Sequence, residues 1–168
     1  IEELRKVGWA ISDQAVRDGL SRVRWPARIE VIARQPTIVL DAAHNVASIE
    51  ALVDVLRESF AVPRRVLVFA TTRDKNLRDM LARLLPAFDE IIFTRYHSNP
   101  RGVAPGDLAA IARELDSSRD YPMCADANEA WQLARKRVGT HDLLCIAGSF
   151  FIAAEMRTVI ERTDIASA

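Results

Sequence analysis

The sequence predicts an α/β fold with a mostly parallel sheet covered by helices on both faces. Two observations carry this reading. From Pro36 onward, short apolar runs alternate with amphipathic segments, which is the sequence form of repeated βα units. The amphipathic segments place their apolar residues three and four apart, the helical period.

Before that boundary the chain differs in kind. "IEELRKVGW" reads as the end of a helix, and Ser12 is placed to cap a short helix running through Gly19. "RVRWP" then forms a junction, because Pro26 restrains Trp25 to an extended conformation. "RIEVIAR" is a strand candidate that turns through "RQP" straight into "TIVLD", and so tight a connection makes the two strands antiparallel. The other strand candidates are "RVLVFA", "EIIFT", "YPMCA" and "DLLCIAG". Helices are expected over "VASIEALVDVLRESF", "LRDMLARLLPAF", "PGDLAAIARELDSS" and "ANEAWQLARKRVG". Pro105 suits a first turn and Gly139 a helix end. A last helix, "FFIAAEMRTVIER", follows the final strand directly.

With 168 residues and 49% hydrophobic content, the chain can bury the core of one ordinary domain. Lys+Arg and Asp+Glu each number 23, and neither half carries a basic stripe, which argues against nucleic acid as a partner. Cys124 and Cys145 lie in apolar runs, as reduced buried thiols do, and no CxxC or Cys/His cluster suggests a metal. There is no apolar run of roughly 18 residues and no charged-then-apolar leader, so the expectation is a cytoplasmic protein with no membrane partner. The chain opens inside a helix-like segment without an initiator Met, as a fragment would.

In an open parallel sheet, ligands bind at the carboxyl ends of strands, where the next helix presents unpaired N–H groups. "TIVLDAAHN" empties into such a place. Asp41 can accept hydrogen bonds from sugar hydroxyls, Ala42 and Ala43 let a ligand approach the backbone, and His44 and Asn45 add polar groups at the helix start. The same residues also serve a plainer purpose, with Asp41 or Asn45 capping the helix and His44 solvated. "ATTRDKN" brings Asp74 and Lys75 to the same edge, as a binding pair or as surface charge. The long "TRYHSNPRG" loop holds Arg95, His97 and Arg101 and looks like many surface loops. In "CIAGSFF", Gly148 allows a close turn and Ser149 either caps the helix or binds a carboxylate or phosphate at its N-terminus. An Asp41, His44, Ser149 hydrolase triad fails, because a nucleophile elbow needs G-x-S-x-G and "AGSFF" supplies a single Gly. No G-x-G-x-x-G follows the first parallel strand and no Walker A motif occurs, so most of any phosphate cradle lies elsewhere.

Taken in order, "WPARIEVI", "VLDAAHNVASIEAL", "TRDKN", "NPRG" and "AGSFFIA" resemble the C-terminal domain of folylpolyglutamate synthase and dihydrofolate synthase, within the Mur ligase superfamily. The resemblance covers nearly the whole chain. It implies a Rossmann-like domain of about six strands at residues 25–168, closing on a larger N-terminal ATPase domain of which residues 1–24 are the tail or linker. It implies an ATP-dependent ligase, with Mg2+ held in the N-terminal domain, in which a pteroate or folate carboxylate is phosphorylated and the amine of L-glutamate attacks the acyl phosphate. By the same resemblance, Asp41 meets the ATP ribose and Arg28 its phosphates, while His44 and Ser149 meet the glutamate. Asn45, Asp74, Lys75 and Arg101 line the cleft. No catalytic residue and no metal ligand is assigned to this chain, which alone should be inactive. Ala42 and Val46 stand where that family more often has Gly and Pro, and Asn76 where it has Asp; Ala42 argues against a positive φ at its position. The alternatives are a free-standing non-catalytic nucleotide-binding module and a ligase of the superfamily with a peptidoglycan-precursor acceptor.

Overall fold

A computed structural model describes residues 1–165. The elements in chain order are α1 (Glu2–Lys6), α2 (Asp13–Ser21), β1 (Glu30–Arg34), β2 (Thr37–Leu40), α3 (Val46–Ser59), β3 (Arg65–Phe69), α4 (Leu77–Leu84), β4 (Glu90–Phe93), α5 (Pro105–Leu115), α6 (Ala127–Arg137), β5 (Leu143–Ala147) and α7 (Phe150–Ile165). The five strands form one sheet in the order β1-β2-β5-β3-β4. β2, β5, β3 and β4 run parallel, and β1 is antiparallel to β2, with Arg34 facing Thr37 across the "QP" turn. The fold is Rossmann-like.

Side chains alternate along the strands, and the alternation builds two cores. Val39, Leu67, Phe69, Ile91, Phe93 and Cys145 face α3, α4 and α5, where they meet Ile49, Leu52, Leu56, Leu81, Leu84 and Leu108. Ile38, Leu40, Val66, Val68, Leu144 and Ile146 face α6 and α7, where they meet Trp131, Ile152 and Met156. Both faces of every central strand are therefore dry, which is why those strands read as unbroken apolar runs. Three of these helices, α3, α4 and α6, start where a polar side chain meets the first turn: Asn45, Asn76 and Asp126 accept from the backbone N–H of Ser48, Asp79 and Glu129. Ser12 does the same for α2 by accepting from Ala15 at 3.1 Å.

Among the described residues the sheet has five strands, not six. "YPMCA" makes only a single parallel bridge, Phe93 to Met123, in which Phe93 N donates to Pro122 O at 2.9 Å and Cys124 N donates to Phe93 O at 2.8 Å. Pro122 has no N–H to extend the ladder, so pairing stops there. In "LRDMLARLLPAF" the α-helix likewise gives way to a 3₁₀ turn, Leu85–Ala87, where Pro86 removes the next helical donor. Cys124 and Cys145 are free and buried, and burial pushes the Cys124 thiol up to about 11, so neither is a ready nucleophile.

α1 and α2 contribute no buried residue, and this end of the chain exposes Ile1, Leu4, Val7, Trp9, Leu20, Val23 and Trp25. At the other end of the fold, Gly148 joins β5 to α7 with φ 116°, and a Cβ there would lie 2.4 Å from the Ala70 carbonyl oxygen. Both the backbone conformation and the space demand Gly. Gly148→Ala should therefore cost about 3 kcal/mol or more, from strain and overlap together. Denaturant unfolding of the variant would measure this, and an unchanged midpoint would show that β3 and α7 can move apart freely.

Candidate functional site

Three strand exits meet at the carboxyl edge of the sheet: "DAAHN" after β2, "TTRDKN" after β3 and "GSF" after β5. β5 lies between β2 and β3 although it comes last in the chain, so the first and last βα loops become neighbours. Such a crossing of strand order opens a crevice between loops, the usual ligand position in these sheets.

Asp41 stands at the exit of β2. Its carboxylate is only 5% exposed. Oδ1 accepts from Ala43 N at 2.7 Å and Oδ2 accepts from Ile29 N at 2.8 Å. Burial raises its pKa above the ordinary carboxylate value, against the two N–H bonds and the nearby charges of Arg28 and His44. Each oxygen keeps acceptor capacity for one further donor.

The bond to Ile29 locks the loop that carries Arg28. Ala27 and Ile29 adopt φ of 53° and 46°, a left-handed conformation that costs a β-branched residue heavily. The segment is pinned at several points. Ala42 N donates to Ala27 O at 2.8 Å, Ala27 N donates to Glu30 Oε2 at 2.7 Å, and Arg157 of α7 pairs with the same Glu30 oxygen. Ala27, Ala42 and Ala153 pack together, which only small side chains permit. So held, Arg28 projects its guanidinium over the Phe150 ring, 5.1 Å from the centroid. Among the described residues Arg28 forms no salt bridge.

His44 stands against the other side of this group, 6.4 Å from Phe150 between ring centroids. Its Nδ1 lies 2.8 Å from the Ala42 carbonyl oxygen. A carbonyl only accepts, so Nδ1 carries a proton, and in the neutral ring Nε2 is left as an acceptor. Ser149 is 5% exposed; its hydroxyl donates to Ala70 O at 3.3 Å and accepts from Ile152 N at 3.2 Å, so it caps α7. The next N–H groups of α7 have no intrahelical partner. Asn45 caps α3, with its side-chain oxygen spent on Ser48 N at 2.9 Å. Ala42 has no positive φ, in keeping with its side chain, and the strain sits instead at Ala27 and Ile29.

Asp74, Lys75 and Arg101 form a second group. Asp74 and Lys75 pair at 3.0 Å. Arg73 N donates to Arg101 O at 3.0 Å, and Thr72 bridges Gly102, so the β3 exit is stitched to the "NPRG" loop. The two groups meet at Ala70, whose carbonyl takes the Ser149 hydroxyl. The cavity beside Tyr96 and Gly102 holds only about 120 Å³, whereas a groove of about 690 Å³ lies away from the strand exits between β1, α6 and α7.

A family model, that of the Mur ligase, glutamate ligase domain, matches residues 27–150, which span the Arg28 loop, every strand and the start of α7. The chain belongs to this family. It is 29% identical over 147 residues to the dihydrofolate synthase/folylpolyglutamate synthase of Bacillus subtilis strain 168, covering 88% of this chain and 33% of that protein. A Mycobacterium tuberculosis folylpolyglutamate synthase complexed with ADP and AMPPCP superimposes with a TM-score of 0.82 at 30% identity, covering 91% of this chain and 36% of that one. A bifunctional folylpolyglutamate synthase/dihydrofolate synthase with Mn, AMPPNP and L-glutamate bound superimposes with a TM-score of 0.78 at 29% identity, covering 94% of this chain and 37% of that one. This Mur ligase domain thus spans about a third of the length of such relatives.

Two features of the domain's edge were not read from the sequence: the Glu30–Arg157 pair that ties the Arg28 loop to α7, and Phe150, the platform shared by Arg28 and His44. Glu30 is flanked by apolar residues at the start of its strand, but its partner lies far along the chain. Phe150 is large and apolar yet 48% exposed, a signal visible only once the helix is placed.

In the second group, the Thr72 hydroxyl and then Lys75 hold the Asp74 carboxyl at about 2. A depressed carboxylate contributes stability that is present above its ordinary value of 3.8 and lost as the pH falls through about 2. Carboxylate NMR of Asp74 should give a midpoint near 2, and Thr72→Val should raise it toward 3.8. A wild-type midpoint at 3.8 would mean that the loop does not hold this carboxylate.

Proposed function

We propose that this chain is the C-terminal part of an ATP-dependent ligase that joins L-glutamate to a pteroate or folate carboxylate in the cytoplasm. The observation that carries the reading is the strained Arg28 loop, locked by Asp41 beside the N-terminus of α7 in a family named for glutamate ligation. Strain of this kind persists only where the surroundings over-determine it, and it clusters at functional sites.

The residues present suit a nucleotide and an amino acid. Arg28 offers a guanidinium that forms no salt bridge among the described residues and is fitted to phosphate oxygens. Asp41 keeps acceptor capacity for ribose hydroxyls while it holds the loop. His44 offers Nε2 to the ammonium or amine of glutamate, and the first N–H groups of α7, with Ser149, suit its α-carboxylate. Asn45, Asp74, Lys75 and Arg101 border the same cleft. ATP with Mg2+ supplies the phosphoryl group that activates the folate carboxylate. Among the described residues no group of three or more His, Cys, Asp or Glu could hold a metal, and in this reading the metal sits on an N-terminal ATPase domain. The open crevice and the exposed Trp9, Leu20, Val23 and Trp25 support such a partner domain, with residues 1–24 as its tail or the linker to it. No helix among the described residues is long and apolar enough to cross a membrane.

On this reading, residues 1–168 alone should show no ATP-dependent glutamate addition, because stabilising charge on a transferring phosphoryl group needs the P-loop and metal clamp of the other domain. Activity assays of this chain and of the longer protein check it, and turnover by the isolated chain would overturn the division of labour.

Arg28→Ala in the longer protein should lower turnover about tenfold or more while changing stability by less than roughly 0.5 kcal/mol, since Arg28 is exposed and holds nothing else in place. Asp41→Ala should raise the KM for ATP more than that for glutamate and should also destabilise the domain by about 1–3 kcal/mol, through the N–H groups it leaves unpaired. Steady-state kinetics and thermal unfolding of both variants separate the two effects. Unchanged ATP kinetics in both would reduce these residues to structural ones.

A further inference from the structure

Tyr96 follows β4 and is 2% exposed, with its ring packed 5.2 Å from Phe151 and its edge 3.4 Å from where a side chain on Gly102 would begin. Its hydroxyl is fully enclosed yet has no hydrogen-bond partner among the described residues. A buried donor left unpaired costs stability, and native structures rarely keep one without a reason. The group nearest in kind is Ser149, which lies beside the hydroxyl, and the charges that act on it come from Arg101, Asp74 and Glu155. Burial pushes the Tyr96 phenol above its ordinary value, so it keeps its proton and remains a donor. Glu155 Oε1 is held by the backbone of the same loop, accepting from His97 N at 2.9 Å and Ser98 N at 2.8 Å, and Asp74 is paired with Lys75. The hydroxyl oxygen that neighbours Tyr96 is that of Ser149.

We infer that Tyr96 is a positioning residue that makes the Ser149 hydroxyl a pure donor toward a carboxylate at the N-terminus of α7. Ser149 Oγ has two lone pairs. Ile152 N–H takes one. Once Tyr96 O–H takes the other, the only polar capacity left on Ser149 is its own hydrogen. That hydrogen is directed at Ala70 O across a long 3.3 Å contact. A carboxylate arriving at the first turn of α7 is a stronger acceptor than that carbonyl and draws the hydrogen to itself. The arrangement suits an acid and suits the corresponding amide poorly, because an amide N–H would face a hydroxyl with no lone pair free. This inference rests on the ligase reading of the same cleft and goes beyond it, in that it assigns the acid-against-amide choice to a residue that never touches the ligand.

The test is Tyr96→Phe in the longer protein, which removes one oxygen and keeps the ring. The expected result is a KM for L-glutamate raised roughly two- to tenfold and an unchanged KM for ATP in an enzyme that still folds. The preference for L-glutamate over its α-amide should fall as well, an effect that a purely structural role would not produce. Unchanged glutamate KM and unchanged preference in an active enzyme would overturn the inference and leave the ligase reading standing. If the wild-type protein ligates no glutamate, the ligase reading falls and a second measurement decides this point by itself. The chain has two tyrosines, and Tyr121 is engaged elsewhere, donating to Asp116 O at 2.9 Å. With tyrosines labelled at Cζ, L-glutamate should move the Tyr96 signal, leave Tyr121 as an internal control, and lose this effect in Ser149→Ala. A Tyr96 signal that stays still would overturn the inference.

Discussion

The carboxylate of Asp41 joins two stretches twelve residues apart in the chain, taking the N–H of Ile29 on one oxygen and that of Ala43 on the other. Much of the edge of the sheet depends on that bridge. The left-handed residues at Ala27 and Ile29 are each costly, on the order of 1–3 kcal/mol, and would relax without an anchor. If they relaxed, Arg28 would leave Phe150, and the contact of Glu30 with α7 would lose its backbone donor at Ala27. Burying an acid to hold a strained loop is expensive in its own right, and the raised pKa of Asp41 records that expense.

The order and kind of the elements were legible in the sequence because two periodicities dominate it. Strands dry on both faces appear as unbroken apolar runs, and the helices between them repeat at three and four residues. The antiparallel β1 followed from the shortness of the "RQP" turn, and each expected helix lies where its apolar stripe placed it. The sixth strand failed for a local reason. "YPMCA" has strand-like residues, but Pro122 withholds a donor, and the segment settles for one bridge. Composition does not weigh a missing N–H.

The site was legible in part. Loops at the carboxyl edge point to a crevice once a parallel sheet is expected, so Asp41, His44 and Ser149 could be named from their places after strands. Their bonding could not. Asn45 and Ser149 turn out to cap helices, and Asp41 spends one bond on each of two N–H groups, choices that pairing in space makes and spacing does not reveal. The strain at Ile29 was invisible for the same reason, since isoleucine in "ARIE" advertises a strand and nothing local says that a distant carboxylate holds it otherwise. Tyr96 was hidden by its loop, where an aromatic surrounded by Arg, His and Asn resembles surface rather than a buried ring packed on Phe151.

The position of β5 has a consequence for how the chain comes into being. Residues 143–147 fill the gap between strands at 37–40 and 65–69, so the sheet stays split until nearly the whole domain has left the ribosome. Until then β2 and β3 each show an unpaired edge flanked by apolar faces, a state prone to sticking. Pairings so distant in sequence also slow the search for the native arrangement. The same late strand delivers Gly148 and the start of α7 to the crevice. A nascent chain therefore passes through a vulnerable interval and gains a continuous sheet, with its first and last βα loops side by side, in one closing step.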